Sequence, residues 1–437
     1  MNGSLLSSVF SYIDPTTTST LLYVLIGVGA TLAFALRGVF YRLRDALQQS
    51  KVKSDNRAYG GHNDLVIYSE GRQYWSVFQT VIEELEAMGI ASLYVSSDET
   101  DPGLAHKSDL TTTRYVSQTF TPAYLNNLRA EMVVMTTPQL QILTIKRSRH
   151  VKHYAHLVHA PTDLFTYRKF AFDYFDSVLC AGPHQIKSAR FLEKKRNRSA
   201  KRLLETGVTY YDVMLRNLPE NVAVEGEGRR PVVLLAPTWK PYGILNRFGA
   251  DFIKKLLAAD VSVIVRPHPQ SFISFPELIG EIEQEFASNE AVIFDRAASG
   301  VESMAKSDMM ISELSGIIYD YAFLYKKPVL IVDADPDLRG FEATDFDYPM
   351  WEIAVRDRVG RVITEADVAN LDTHVKEVLA DKSQRARIEE LQRESIYNFG
   401  SAGKVAAQQI AEILAECKSG KSESIEPSKS VGKGSQE

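Results

Sequence analysis

From Asp64 onward, short apolar runs alternate with stretches whose apolar positions recur every three or four residues, the pattern of strands interleaved with amphipathic helices. The first series reads DLVIYSEG, WSVFQTVIEELEAMG, ASLYVSS, YLNNLRAE, MVVMTT and LQILTIK, then HYAHLVHA, SVLCAG, a helix from about His184, KRLLETG and YYDVMLRNL. It predicts one α/β unit over 63–218. The turn-rich stretch PENVAVEGEGRRP then breaks the pattern and marks a boundary. A second series follows with VVLLAPTW, FGADFIKKLLAAD, SVIVRPHP, FPELIGEIEQEFAS, AVIFDR, GVESMAKS, MMISEL, SGIIYDYAFLYKK and PVLIVD, closed by the helices DVANLDTHVKEVLA and QRARIEELQRESI. It predicts a second unit over 230–417. The fold class is therefore α/β, two Rossmann-like domains with parallel sheets covered by helices. In such sheets ligands bind beyond the carboxyl ends of the strands, so the expected site is an interdomain cleft.

The amino-terminal stretch follows a different pattern. STLLYVLIGVGATLAFAL is uncharged, and with its extension to Phe40 it forms a 19–40 segment of the ~20 residues a helix needs to cross a bilayer. Residues 1–18 carry only Asp14, whereas Arg37, Arg42, Arg44, Lys51, Lys53 and Arg57 follow the apolar segment or close it. The positive-inside rule makes 1–18 a short extracytoplasmic segment, 41–62 a basic linker and the bulk of the chain cytoplasmic, anchored by a single pass in the cytoplasmic membrane. A cleaved signal peptide ending at Ala33-Phe34-Ala35 lacks its basic n-region, and a helix lying in the membrane interface is the other alternative. Residues 418–437, rich in Ser, Lys, Gly and Glu, read as a disordered tail.

Composition narrows the class. An apolar fraction of 45% and a charged fraction of 24% are those of a folded protein. The net charge of -5 gives no global reason to expect nucleic acid. Cys180 and Cys417, the two cysteines, have neither disulfide-framework nor metal-ligand spacing. A homo-oligomer is neither required nor excluded.

Candidate chemistry gathers at strand ends. SVIVRPHP sets Arg266 and His268 at the carboxyl edge of a strand, where a guanidinium fork and an imidazole suit phosphate oxygens; the bland alternative is that both cap the strand. In MMISELSGIIYDYAFLYKK, Ser312, Glu313, Ser315 and Gly316 form a turn before a helix whose amino terminus attracts anions. Ser315 could equally be a plain N-cap. Asp320 and Tyr321 lie one turn further in. LLAPTWKPYG adds Thr238 and Lys240 as phosphate donors, with Trp239 either core or a stacking surface. In the first unit, His159 ends a strand and suits a general base on an acceptor hydroxyl, with Asp163 to orient it. Period-two alternation separates His159 from His156, so a three-histidine metal site is not expected. The Asp333, Asp335 and Asp337 run reads as a solvated turn rather than a metal site. The basic stretch 187–202 reads by default as a solvated helix face, with contact to an anionic membrane surface as the functional alternative.

With APTW, RPHP and SDMMISELSGIIYDYAFLYKKPVL in this order, the chain resembles the CDP-glycerol glycerophosphotransferases of teichoic-acid synthesis, best over Val232 to Asp333. The resemblance implies a GT-B fold, a CDP-linked donor, a glycan or lipid-linked acceptor, and no metal or other cofactor. It assigns the donor pyrophosphate to Thr238, Arg266, His268, Ser315 and Gly316, and the role of base to His159. Two departures stand out: HAPTDL replaces a His-Gly and Thr-Pro-Leu-Lys-like run, and SELSG replaces Asp-Tyr-Ser-Ser. The expected activity is transfer of a glycerol-phosphate or related polyol-phosphate unit. A glycosyltransferase using a nucleotide-sugar is the alternative, and a silent scaffold in a polymer-export complex the third.

Overall fold

The computed structural model describes residues 62–219, 229–297 and 299–420. The expected membrane helix at 19–40, the segments at 1–18 and 41–61, and the tail from 421 lie outside the described residues. Among the described residues no helix is long and apolar enough to cross a membrane.

The first domain carries β1 (Asn63–Ser69), β2 (Ser92–Ser96), β3 (Thr111–Tyr115), β4 (Ala130–Met135), β5 (Val151–Leu157), β6 (Ser177–Cys180) and β7 (Arg202–Glu205) in a parallel sheet of order β3-β2-β1-β4-β5-β6-β7. The second carries β8 (Val232–Leu235), β9 (Ser262–Val265), β10 (Val292–Phe294), β11 (Met309–Ser312), β12 (Val329–Val332) and β13 (Gly360–Ile363), ordered β10-β9-β8-β11-β12-β13 and again parallel. Helices cover both faces, so the central strands are buried on both sides and read as unbroken apolar runs. Each sheet starts in its middle strand, runs to one edge and then returns. The two points where strand order reverses lie between β1 and β4 and between β8 and β11, which is where such sheets bind ligands.

Three expectations need correction. LQILTIK is no strand: Gln139 and Gln141 take φ of 60° and 71°, left-handed values that break extended backbone. TTTRY is a strand that apolar patterning misses, because β3 is a half-exposed edge of threonines. Finally, the last helix, Ala402–Ser419, belongs by packing to the first domain rather than the second. Its Ala406, Ala407, Ile410, Ile413 and Leu414 join a core with Leu65, Ile67, Met132 and Leu157, and Lys418 at its end pairs with Asp64 (2.6 Å).

The basic stretch also has a different role from a solvated face. Arg190 pairs with Glu193 (2.7 Å), Arg198 with Asp173 (3.3 Å) and Arg202 with Glu416 (2.8 Å). Arg196 bonds Asp173 and Asp345 (2.7 Å each) and also Glu342, which is fully buried. Glu342 and Asp345 lie between β12 and β13 of the second sheet, so this guanidinium ties the domains together. The adjoining backbone does the same, with Glu342 N–H donating to Tyr167 O (2.7 Å) and Phe346 stacked on Phe165 (3.8 Å). Replacing Arg196 by Met would leave buried carboxylates unpaired, a loss of about 3–5 kcal/mol. Thermal unfolding should show the first transition several degrees lower, and an unchanged midpoint would refute this tie.

Candidate active site

Four strand exits, those of β5, β8, β9 and β11, bring the sequence-predicted residues to two facing edges. On the first domain, β5 ends at Leu157 and releases the loop holding His159, Ala160, Pro161, Thr162 and Asp163. The helix Pro183–Lys195 fixes that loop: Gln185 Nε2 donates to Ala160 O (3.0 Å) and Thr162 O (2.7 Å), and His184 Nε2 donates to Pro161 O (2.9 Å). On the second domain, β11 ends in the turn Glu313-Leu314-Ser315-Gly316, which opens the helix Ile317–Tyr325. A Cβ added at Gly316 would lie 3.8 Å from Thr162 Cγ2. The β5 loop and this helix tip therefore meet directly across the interface.

His159 packs edge-on to Tyr74 (5.1 Å between ring centroids) and Tyr167 (5.8 Å). Its Nδ1 is buried without a hydrogen-bond partner, which leaves Nε2 for an outside group. Loss of solvent lowers its pKa to about 4, so the ring is neutral at physiological pH and can accept a proton. Asp163 does not orient it. The Asp163 carboxylate accepts from Leu164 N–H (2.7 Å), while its own N–H donates to Glu352 Oε1 (2.8 Å). Burial raises Asp163 to about 6 and, with Asp163 as the next contributor, Glu352 to about 8.

In the second domain, several predicted ligands already have internal partners. Ser312 Oγ donates to Ala236 O (2.7 Å), tying β11 to the β8 exit. The buried Glu313 accepts from Thr238 N–H (2.8 Å) and from Ile244 N–H, and burial raises it to about 7. It shapes the Thr238–Gly243 loop instead of offering itself to a donor. Ser315 makes no capping bond, so the helix tip remains without a side-chain acceptor. Gly316, at the same tip, carries no side chain to obstruct an anion.

Arg266 spends Nη1 on Asp295 (2.6 Å), itself held by Ser303 (2.5 Å). A Cβ at Gly300 would come within 2.9 Å of Arg266 Nε, so only glycine allows the guanidinium this position. His268 Nδ1 accepts from Gln270 N–H (3.1 Å), which puts the proton on Nε2 and turns a donor outward. Burial, then Lys240, lowers its pKa. Lys240 Nζ sits 3.8 Å above the Trp239 ring, and that ring lies 6.4 Å from His268. Asp333 pairs with Arg356 (2.6 Å) and Asp337 with Arg339 (2.7 Å), so two of the three carboxylates of the acidic run are committed to guanidinium groups. Asp320 accepts from Tyr210 (2.5 Å) and Tyr211 (3.0 Å) of the first domain and pins the helix that carries the tip.

Sequence reading missed the loop holders His184 and Gln185, and it missed Glu70 at the β1 exit. The reversal of strand order between β1 and β4 is the signal that exposes Glu70, and it needs the topology.

The solved structure of the wall teichoic acid polymerase TagF is similar, with a TM-score of 0.53 at 14% identity over 90% of this chain and 98% of that one. A putative UDP-N-acetylglucosamine 2-epimerase from Listeria monocytogenes gives 0.53 at 13% identity over 84% and 99%. The UDP-GlcNAc 2-epimerase from Methanocaldococcus jannaschii, in complex with UDP-GlcNAc and UDP, gives 0.51 at 13% over 80% and 99%. At these identities the likeness is one of fold. No curated protein sequence matches the chain. Residues 62–349 match the family described as CDP-Glycerol:Poly(glycerophosphate) glycerophosphotransferase, and this stretch contains every strand exit described above. Spanning well over half of the sequence, that match means the chain belongs to the CDP-glycerol:poly(glycerophosphate) glycerophosphotransferase family and is a transferase.

Proposed function

We propose that the chain transfers glycerol phosphate, or a related polyol phosphate, from a CDP-linked donor to a hydroxyl of a surface or lipid-linked glycan. The observation that carries this reading is the meeting of the His159–Thr162 loop with the Ser315–Gly316 helix tip, 3.8 Å apart at Thr162 and an added Gly316 Cβ. In the proposed step, the acceptor oxygen forms a bond to the phosphorus bearing the polyol while the bridging bond to CMP breaks. The hydroxyl proton passes to His159 Nε2. Charge appearing on the departing CMP meets the helix tip, the Arg266 guanidinium and the Nε2–H of His268. The 19–40 segment would hold both domains at the cytoplasmic membrane face, where a cytosolic nucleotide donor and a lipid-borne acceptor meet.

Incubating the purified full chain with CDP-glycerol, CDP-ribitol and UDP-sugars, each with a glycan acceptor, separates the donors. CMP release from a CDP-polyol, together with a new phosphodiester on the acceptor, is the expected result. UDP release from a nucleotide-sugar, with CDP-polyols inert, would replace this reading with glycosyl transfer.

A further inference from the structure

The β1–β4 switch point of the first domain contains polar groups for which the fold supplies no partner. Tyr68 pairs with Met135, so two residues further on Glu70 and Thr137 stand opposite each other at the carboxyl edge. Met135 also pairs with His156 on β5, which brings His159 to the same edge one strand over. The hydroxyls of Thr136 and Thr137, on residues 1% and 8% exposed, have no hydrogen-bond partner. Glu70 forms no ion pair among the described residues; burial raises its pKa, and the neighbouring Thr137 hydroxyl, its one polar neighbour in that balance, lowers it. Tyr74 links this group to the base: its ring packs against His159 and feels the Glu70 charge. Buried hydroxyls without a full set of partners are costly, a cost that a hydroxyl-bearing ligand would remove.

We propose that Glu70 and Thr137, with Thr136 beside them, form a subsite that grips a second hydroxyl next to the one His159 deprotonates, making Glu70 a specificity-determining residue for vicinal-diol acceptors. The proposal rests on the transferase reading above and adds the acceptor's chemistry to it. A carboxylate accepts from a hydroxyl, and the threonine hydroxyl can donate to the same oxygen or accept from it. The same carboxylate repels a phosphate, so the subsite favours an uncharged polyol or sugar terminus. Glu70 lies beyond the hydrogen-bonding reach of His159, whose pKa is set by burial alone, and so acts on the substrate rather than on the base.

Two soluble probes test this: 1-O-octylglycerol, which ends in a vicinal diol, and 3-octyloxypropan-1-ol, which lacks the secondary hydroxyl. With CDP-glycerol as donor, the wild-type chain is expected to favour the diol in kcat/KM by at least tenfold, about the lower end for one hydrogen bond to a charged group. In Glu70→Ala that preference should fall below about threefold, chiefly through a raised KM for the diol, with Glu70→Gln between the two. The Kd for CDP measured by calorimetry reports on the donor site and on folding in each variant. Equal use of the probes by the wild type, transfer to neither while water still hydrolyses CDP-glycerol, or an undiminished preference in Glu70→Ala overturns the proposal. Absence of CMP release under every condition overturns the transferase reading, and this one with it.

Discussion

Replacing His159 by alanine is expected to lower transfer by about 10²–10⁴-fold, the range attributable to a positioned general base, while CDP binding persists. The loss should fall on kcat, because the proposed role of the imidazole is on the acceptor proton and the proposed nucleotide site is on the other domain. Its pH signature is equally specific. The His159 pKa of about 4 in the free protein, against an ordinary 6.5, moves the acidic limb of kcat/KM downward. Activity should therefore continue below pH 6, where an ordinary histidine would already be protonated and unable to accept. An acidic limb at 6.5, or transfer by His159→Ala at the wild-type rate, would remove His159 from this role. The same shift affects folding. Because the folded pKa lies below the unfolded one, the contribution of His159 to stability is complete above about 6.5 and is lost as pH falls toward 4. Circular dichroism at each pH separates that loss from the loss of the base.

His268→Ala is the second large effect. With Nδ1 held by the Gln270 N–H, the imidazole presents Nε2–H outward, and such a donor beside developing phosphate charge is worth about 10²–10³-fold in rate. Single-turnover CMP release should fall by that factor with only a modest change in donor affinity. His268→Gln, which keeps an N–H at similar reach, should recover part of the rate. Equal rates for wild type and His268→Ala would show that leaving-group charge is met elsewhere. Arg266 is the next candidate, since Asp295 already fixes its guanidinium.

The residues proposed to act on donor and acceptor were legible because they sit where local patterning ends. An apolar run that stops at RPHP or at HYAHLVHA announces a strand exit, and polar groups there need no knowledge of their neighbours to be noticed. Partners were less legible. Ser312 and Glu313 carry the right chemistry for a donor site, yet their oxygens serve Ala236 O and the N–H groups of Thr238 and Ile244. Asp163 follows His159 by four residues, and the turn of the loop sends it toward Glu352, 189 positions away in sequence. The basic stretch gave no hint that Arg196 would be enclosed by Asp173, Glu342 and Asp345.

By itself, the sequence determined two α/β units, the break between them, and the strand ends at which Arg266, His268 and His159 stand, because these follow from hydrophobic period and from where it stops. Tertiary structure decided which polar groups are left for a substrate. Glu70 faces Thr137 only through the β1–β4 register, Gly316 meets Thr162 only through domain docking, and the last helix returns to the first domain only because an apolar face remained there to be covered. Hydrogen-bond partners and buried faces are settled between segments far apart in the chain, and a local pattern carries no record of them.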